Sequence, residues 1–324
     1  MTKFIRKLVK LAAVAGATLT FASAQAQSWP TRPIKLILGV APGGLIDLSA
    51  RQLATELGAK LGQPVIVDNR PGANTTIGAN AVVQAPGDGY TFFYGGVMSA
   101  SPVFVKTNAV DVTTQLKPVS LVLSSPFFVV VNSKVPAKTF QELVDYSKKN
   151  PDAVNFADGA PLSTMVMYAI ASRTGLKFTA IPYKGSGPSL QALISGEVQM
   201  NLDTVPNYVQ HIQAGTVRPL LNTSNVKYSA LPDVPTAADV KGLDKLNAAS
   251  VLSMWAPKTT PDEIVNKMSG AIAAIARDPA FRTKFKASTN VDPIGSTPAE
   301  LLSAVKADKA LYEQVTKQVG YVPQ

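Results

Sequence analysis

The stretch Pro42-Gly43-Gly44 has the clearest potential for ligand chemistry in this sequence. An apolar run of strand length (34–40) precedes it, and apolar residues at helical spacing follow it (46–61). A helix that begins at a glycine-rich turn leaves backbone N–H groups unpaired, and these groups and the helix dipole attract anions. The stretch therefore predicts a small-anion pocket at the carboxyl end of the first strand, with an ordinary strand-to-helix turn as the alternative.

Polar or glycine-containing segments also follow the later predicted strands. Because ligands of open α/β sheets bind outside the carboxyl ends of strands, these segments are candidates for the same site. Simple helix capping is the alternative for the hydroxyl residues that precede predicted helices. The candidate side chains and turns in these segments are Thr75, Thr76, Ser99, Ser163, Thr164, Tyr183, Lys184, Gly185 and Asp203.

The elements that must position these residues alternate between apolar strands and amphipathic helices, and this alternation occurs twice along the chain. Unbroken apolar strands are typical of mostly parallel sheets covered by helices. The 324 residues suggest about two domains. We therefore predict an α/β fold with two lobes, each a mostly parallel sheet flanked by helices. Lobe 1 is predicted at 27–124 plus 250–324 and lobe 2 at 125–249, with a ligand cleft between them.

The first 26 residues differ from the rest of the chain. They contain four basic residues, an apolar stretch (11–21) and the small-x-small sequence Ala24-Gln25-Ala26. This pattern predicts a secretory signal peptide (1–26) that is removed before Gln27, and hence a periplasmic protein. A membrane anchor is the weaker alternative because the apolar stretch is shorter than a full span.

Composition argues against several classes of function. The net charge is +10, of which the signal segment contributes +4, and no block of like charges suggests nucleic-acid binding. With no cysteine and one histidine, a zinc site is not expected, and we predict neither a metal nor a cofactor. A Ser-His-Asp triad would need His211, which lies in a predicted short helix where a lone histidine is more often structural.

Three helix starts carry the sequence of a capping box, in which a threonine is followed three residues later by a glutamate. They begin at Thr139, Thr260 and Thr297, and the last two also have proline at the first helical position. These patterns predict helices at 140–149, from 261 to about 276, and through the C-terminal segment.

Beyond these patterns, the sequence closely resembles the substrate-binding proteins of tripartite tricarboxylate transporters, the Bordetella uptake gene (Bug) receptor family. The resemblance spans essentially the whole chain after the signal segment. It rests on motifs that include W-P-T-R-P-I-K (29–35), A-P-G-G-L-I-D (41–47), L-G-Q-P-V-I-V-D-N-R-P-G-A (61–73), P-Y-K-G-S-G-P (182–188), A-L-P-D-V-P-T (230–236) and W-A-P-K-T-T-P (255–261).

The resemblance implies a periplasmic-binding-protein-like (type II) fold that closes on a small carboxylate and delivers it to membrane subunits of a transporter. It also implies a monomer that is not an enzyme. In such a site backbone N–H groups and hydroxyls hold the carboxylate. Carried over, the resemblance assigns one wall to Gly43, Gly44, Asp47, Thr75, Thr76 and Ser99, and the facing wall to Ser163, Thr164, Tyr183, Lys184, Gly185 and Asp203.

Two departures from the family pattern predict a less polar pocket. Leu45 and Ile46 stand where the family usually has a small hydroxyl residue, and Thr164 stands where it often has histidine. We therefore expect a ligand with an apolar or aromatic body and one or two carboxylates. Asp47 would repel such a ligand unless it accepts N–H bonds, and an aspartate in the first turn also stabilises the helix itself.

Two other functions stay open at this point. The chain could be the ligand-sensing input of a membrane receptor kinase, which the sequence does not distinguish from a transporter receptor. An exported nucleotide-dependent enzyme is the less favoured alternative. Gly39, Gly43 and Gly44 follow a strand and Asp68 ends the next one, but the spacing is not that of a dinucleotide site.

Overall fold

The computed structural model describes residues 29–183, 185–321 and 323, so the predicted signal peptide and Lys184 lie outside the described residues. The strands are β1 (Ile34–Leu38), β2 (Val65–Asn69), β3 (Thr91–Gly95), β4 (Leu116–Asn132), β5 (Asn155–Asp158), β6 (Thr179–Pro182), β7 (Met200–Thr204), β8 (Val217–Asn222) and β9 (Ala249–Pro257). The α-helices are α1 (Leu45–Leu61), α2 (Thr76–Val83), α3 (Val112–Gln115), α4 (Phe140–Lys149), α5 (Pro161–Thr174), α6 (Ser186–Ser195), α7 (Val209–Gln213), α8 (Asp262–Arg277), α9 (Pro279–Thr289) and α10 (Pro298–Val319).

The strands are joined in the order β2-β1-β3-β9-β4-β7-β5-β6, with β8 paired to β4. Strand β1 is parallel to β2 and β3, and β5 is parallel to β6 and β7. Strands β4 and β9 are antiparallel to each of their partners. The predicted α/β architecture is therefore confirmed, and the structure adds that the sheet is mixed, with its antiparallel pairs in the middle.

Strand β4 is the element that connects the two halves of the sheet. Residues 116–126 pair with β9, whereas residues 127–132 pair with β7 and β8. Prolines and serines interrupt the apolar pattern in the first of these two parts, 116–126. The strand accommodates Pro118 with a register shift between Pro118 and Ser120. The predicted lobe boundaries at 124/125 and 249/250 stay a prediction, and the change of partners on β4 lies close to the first of them.

Strand β1 shows why the apolar runs form buried strands. Ile34, Leu36 and Leu38 point into the core beneath α1, α8 and α9, while Ile37 faces the opposite core with residues of α2 and α10. Successive side chains of a strand point to opposite faces, so a strand covered by helices on both sides needs apolar residues at consecutive positions. This packing fixes the carboxyl end of β1 directly before the Pro42–Gly44 turn.

The three predicted capping boxes have different outcomes. The box at Thr297 is complete, with both the side chain and the backbone N–H of Thr297 bonded to Glu300. Thr139 caps α4, but the Glu142 carboxylate accepts the N–H of Lys138 instead. At α8 the prediction is wrong, because the helix begins at Asp262 with Pro261 as its N-cap, and the Thr260 hydroxyl has no hydrogen-bond partner among the described residues.

Candidate functional site

A cleft of about 380 Å³ lies where β1, β5 and β7 end and where α1, α5 and α6 begin. We define two walls by the part of the chain that forms them. The first wall consists of Val40, Ala41, Gly44, Leu45, Ile46, Thr75, Ser99, Ser250 and Leu252. The second wall consists of Phe127, Gly159, Ala160, Leu162, Ser163, Ser186, Ser189, Asn201, Leu202, Asp203 and Thr204.

Three helices begin at this cleft without a side-chain cap among the described residues. Their N-caps are Gly44 for α1, Ala160 for α5 and Gly185 for α6. The first N–H groups of a helix have no partner within the helix, and the helix dipole makes this end electropositive. The convergence of three such ends gives the cleft backbone donors and a field that favour an anion.

The turn at the start of α1 is held by Asp47. Its carboxylate accepts bonds from the Gly43 N–H (3.0 Å), from Arg51 Nε (2.9 Å) and from Asn69 Nδ2 (3.1 Å). The hydrogen bond from Arg51 lowers the pKa of Asp47, which is 3% exposed. Asp47 is absent from the cleft walls, so its carboxylate fixes the turn and leaves Gly44 to line the cleft.

The loop before α2 has a strained backbone that places Thr75 in the first wall. Ala73, Asn74 and Thr75 have φ values of 45°, 50° and 69°, which L-residues adopt rarely and seldom consecutively. The loop also requires Gly39, because a Cβ there would lie 2.6 Å from Thr75 Cβ. Thr75 Oγ1 is buried and has no hydrogen-bond partner among the described residues.

The second wall carries most of the polar side chains of the cleft. Asn201 on β7 is 3% exposed, and its Nδ2 has no hydrogen-bond partner among the described residues. Ser163 and Ser189 donate to the backbone carbonyls at the start of their own helices. Asp203 accepts the N–H of Thr204 at 2.7 Å. Asn201 therefore offers the buried donor that a ligand could satisfy.

The structure brings five of the predicted site residues to the cleft walls: Gly44, Thr75, Ser99, Ser163 and Asp203. Six others lie off the walls: Gly43, Asp47, Thr76, Thr164, Tyr183 and Gly185. Among these, the hydroxyls of Thr76, Thr164 and Tyr183 bond to Ala73 O, Asp158 and Glu197 respectively. Lys184 lies outside the described residues. The ligand contacts assigned to these residues stay predictions.

Helix capping, the alternative for the hydroxyl residues, does not describe Thr75 or Ser163. Thr75 is the N-cap residue of α2, but its side chain makes no capping bond. Helix α5 begins at Pro161, so Ser163 lies inside its first turn. Its hydroxyl donates to Ala160 O at 2.9 Å.

Sequence reasoning missed Asn201, Ser186, Ser189 and the close approach at Gly159. A signal for Asn201 was present, because residues two apart on a strand share a face and Asp203 was already a candidate. Gly159 carried no such signal. A Cβ at this position would lie 2.3 Å from Ser189 Oγ and 3.0 Å from Gly185 O, so glycine is needed where β5 meets α6.

Other kinds of site find little support in the described part of the chain. It contains no group of three histidine, cysteine, aspartate or glutamate residues that could hold a metal ion. Among the described helices, none combines the length and the apolar composition needed to span a bilayer.

Comparisons with known proteins identify the family of this chain. A sequence model described as "Tripartite tricarboxylate transporter family receptor" (TctC) matches residues 49–320. A UPF0065 protein of Bordetella bronchiseptica is 34% identical over 82% of this chain and 80% of its own length. Protein BugT of Bordetella pertussis is 31% identical over 99% of this chain and 98% of its own length.

Solved structures show the same fold. The periplasmic binding protein BugD is similar with a TM-score of 0.77 and 29% identity, over 91% of this chain and all of BugD. A protein of R. palustris solved with adipate gives a TM-score of 0.80 and 31% identity, over 92% of this chain and all of that one. MatC of Rhodopseudomonas palustris with bound malate gives a TM-score of 0.75 and 26% identity, over 89% of this chain and 99% of MatC. The chain therefore belongs to the tripartite tricarboxylate transporter receptor (TctC, Bug) family of periplasmic solute-binding proteins.

Proposed function

We propose that the protein captures a small carboxylate with an apolar body in the cleft, closes its two walls around it and delivers it to a tripartite membrane transporter. The observation that carries this proposal is a pair of buried polar atoms, Thr75 Oγ1 on the first wall and Asn201 Nδ2 on the second, that have no hydrogen-bond partner among the described residues. Leaving such a group unsatisfied costs about 1–3 kcal/mol. A ligand that accepts a bond from each would therefore hold the two walls together.

A carboxylate suits these donors because three uncapped helix starts surround it. Within the described residues, no arginine, lysine or histidine lines the cleft. Recognition by the described residues would then depend on backbone N–H groups, the hydroxyls of Thr75 and Ser99 and the amide of Asn201. The two relatives solved with adipate and malate support a carboxylate as the class of ligand.

The body of the ligand would meet apolar side chains. Leu45, Ile46 and Leu252 line the first wall, and Phe127 and Leu162 line the second. The cleft volume of about 380 Å³ lies near the lower end of the ~300–1,000 Å³ typical of small-molecule sites. Both facts favour a short ligand whose carboxylate is attached to a hydrocarbon chain or ring.

Thermal unfolding of the chain without its first 26 residues, in the presence of different carboxylates, tests this function. The panel contains citrate, C4 dicarboxylates, adipate, benzoate, nicotinate, terephthalate, aspartate and glutamate. A ligand at 100 times its Kd stabilises the protein by about 2.7 kcal/mol. Absence of any shift would contradict carboxylate capture, and a much stronger shift with citrate than with every apolar acid would contradict the apolar body.

Substitution Asn201→Leu tests whether this cleft is the binding site. We expect affinity for the best carboxylate to fall by about 10- to 100-fold, since a hydrogen bond to a charged group contributes about 1.5–3 kcal/mol. Stability without ligand should not fall, because the Nδ2 atom has no partner to lose among the described residues. Asn132→Leu is the matched control. Asn132 does not line the cleft, and its Nδ2 donates a hydrogen bond of 2.8 Å to Leu193 O. This control should lose stability and keep its affinity.

A further inference from the structure

A second, small cavity of about 90 Å³ adjoins the cleft on the side of α10. It shares five wall residues with the cleft, among them Ile46, Ser99 and Ser250. Thr75 and Asn201 line the cleft but not the small cavity. The small cavity therefore extends the site in a direction away from the two unpaired donors.

Two polar side chains of α10, Asp308 and Tyr312, border this cavity. They are four residues apart and lie on the same face of the helix. Tyr312 is 1% exposed, and its Oη has no hydrogen-bond partner among the described residues. Asp308 forms no hydrogen bond or ion pair with any described residue, and burial raises its pKa to about 7.

The charged residues around Asp308 do not neutralise it. Its neighbour Lys309 is paired with Asp111 at 2.7 Å. Asp308 also borders a larger cavity of about 740 Å³, where Lys227, Lys245 and Asp292 lie, but neither of these lysines forms an ion pair with it. An aliphatic side chain would pack here without the cost of desolvating a carboxyl group. Neither ion pairing nor packing within the fold therefore explains why an aspartate occupies position 308.

We propose that Asp308 and Tyr312 bind the second end of the ligand and that this end is a primary ammonium group. The ligand would then be an amino carboxylic acid with its two charged groups at opposite ends of a short hydrocarbon chain. This inference rests on the proposed function, because it assumes that Thr75, Asn201 and the helix starts hold the carboxylate.

The chemistry of the cavity matches an ammonium group. Its three N–H donors can meet the Asp308 carboxylate, the Tyr312 oxygen and the hydroxyl of Ser99 or Ser250, all of which border the cavity. The volume of about 90 Å³ exceeds the roughly 10–15 Å³ that one water molecule needs, so the cavity has room for a group of this size. A second carboxylate would instead place two negative charges side by side unless Asp308 kept its proton.

Calorimetric titration at pH 8 tests the proposal with ligands matched in length. For chains of three to six carbons, each ω-amino acid is compared with the unsubstituted acid and with the dicarboxylate. In the wild-type protein we expect the best ω-amino acid to bind at least about tenfold more tightly than its matched acids, equivalent to about 1.4 kcal/mol. Asp308→Asn should reduce this preference to about twofold or less, and Tyr312→Phe should reduce it in part.

Glu313→Gln is the matched control, because it removes a negative charge from the same helix at a residue that is 48% exposed. It should leave the preference for the amino group unchanged. Equal binding of the amino acid and its matched acids would overturn this inference while leaving carboxylate capture intact. The inference would also be overturned if a dicarboxylate bound most tightly. It would likewise be overturned if Asp203→Asn abolished the preference for the amino group while Asp308→Asn kept it. Failure of every carboxylate to bind would refute the proposed function itself.

Discussion

Asp47 is buried and Asp308 is partly buried, and the surroundings of these two carboxyl groups near the same site differ. Asp47, at the start of α1, accepts bonds from Gly43, Arg51 and Asn69, and these partners lower its pKa. Asp308, on α10, has no such partner among the described residues, and burial raises its pKa. A fully partnered carboxylate contributes to the scaffold, whereas an unpartnered one costs stability, which a bound ligand could recover.

The same contrast distinguishes the two ends of the site. At the α1 end, the strained loop 73–75 is packed against Gly39 and the turn is fixed by Asp47. At the α10 end, Asp308 and Tyr312 border the small cavity. We infer that the first end is preorganised for a group common to many ligands, and that the second end distinguishes among them.

Gly39→Ala should have the largest effect, because it disrupts the preorganised end. The new Cβ would lie 2.6 Å from Thr75 Cβ and 2.9 Å from its Cα, so the loop 73–75 must move. We expect a loss of about 1–3 kcal/mol in unfolding free energy, as for other overpacked sites. We also expect ligand affinity to fall by at least about 100-fold, since a donor displaced by an ångström loses its bond.

The matched control is Gly270→Ala in α8, where an added Cβ meets nothing within 4 Å. It should stabilise the protein by about 0.5–1 kcal/mol through helix propensity and leave binding unchanged. Denaturant unfolding and calorimetry measure both quantities. If Gly39→Ala kept wild-type affinity, the loop 73–75 would have no role in the site.

Much of this organisation could be predicted from the sequence, and the limit has a physical origin. The turn at Pro42–Gly44 and helix α1 follow from local patterns, because glycine and helical periodicity act within a few residues. The bond between Asn69 and Asp47 could not be predicted, since Asn69 comes from the neighbouring strand β2. Asp308 was missed for a related reason: on the sequence it is one charged residue in an amphipathic helix, and only tertiary packing shows that it is partly buried without a partner among the described residues.

The second prediction is that removing the two carboxylates changes stability in opposite directions. The pKa of Asp47 is lower in the folded protein than the unfolded value of 3.8. Its contribution to folding stability is therefore present above pH 3.8 and disappears as the pH falls through the folded pKa. Asp47→Asn should therefore destabilise the protein by about 1–2 kcal/mol at pH 7, and its difference from wild type should shrink below about pH 4.

Asp308 should behave in the reverse way. Because its folded pKa is about 7, ionising Asp308 lowers the stability of the folded protein. This loss of stability is absent below about pH 4, develops as the pH rises to 7 and is complete above pH 7. Asp308→Asn should therefore match the wild-type protein at pH 4 and exceed its unfolding free energy by about 1–2 kcal/mol at pH 8, without ligand. Parallel pH profiles for the two variants, measured by urea unfolding, would contradict the comparison.

The smallest effect should come from two buried tyrosines that differ in their partners. Tyr94 and Tyr312 are 0% and 1% exposed, but Tyr94 Oη bonds to Ser49 Oγ at 2.8 Å whereas Tyr312 Oη has no partner among the described residues. Tyr94→Phe should cost about 1 kcal/mol, and Tyr312→Phe should be neutral or stabilising by up to about 1 kcal/mol without ligand. Because burial and ring size match, the difference between the two variants isolates the hydrogen bond. Equal losses in urea unfolding would mean that Tyr312 has a structural partner, and the α10 end would then be part of the scaffold instead of the part of the site that selects the ligand.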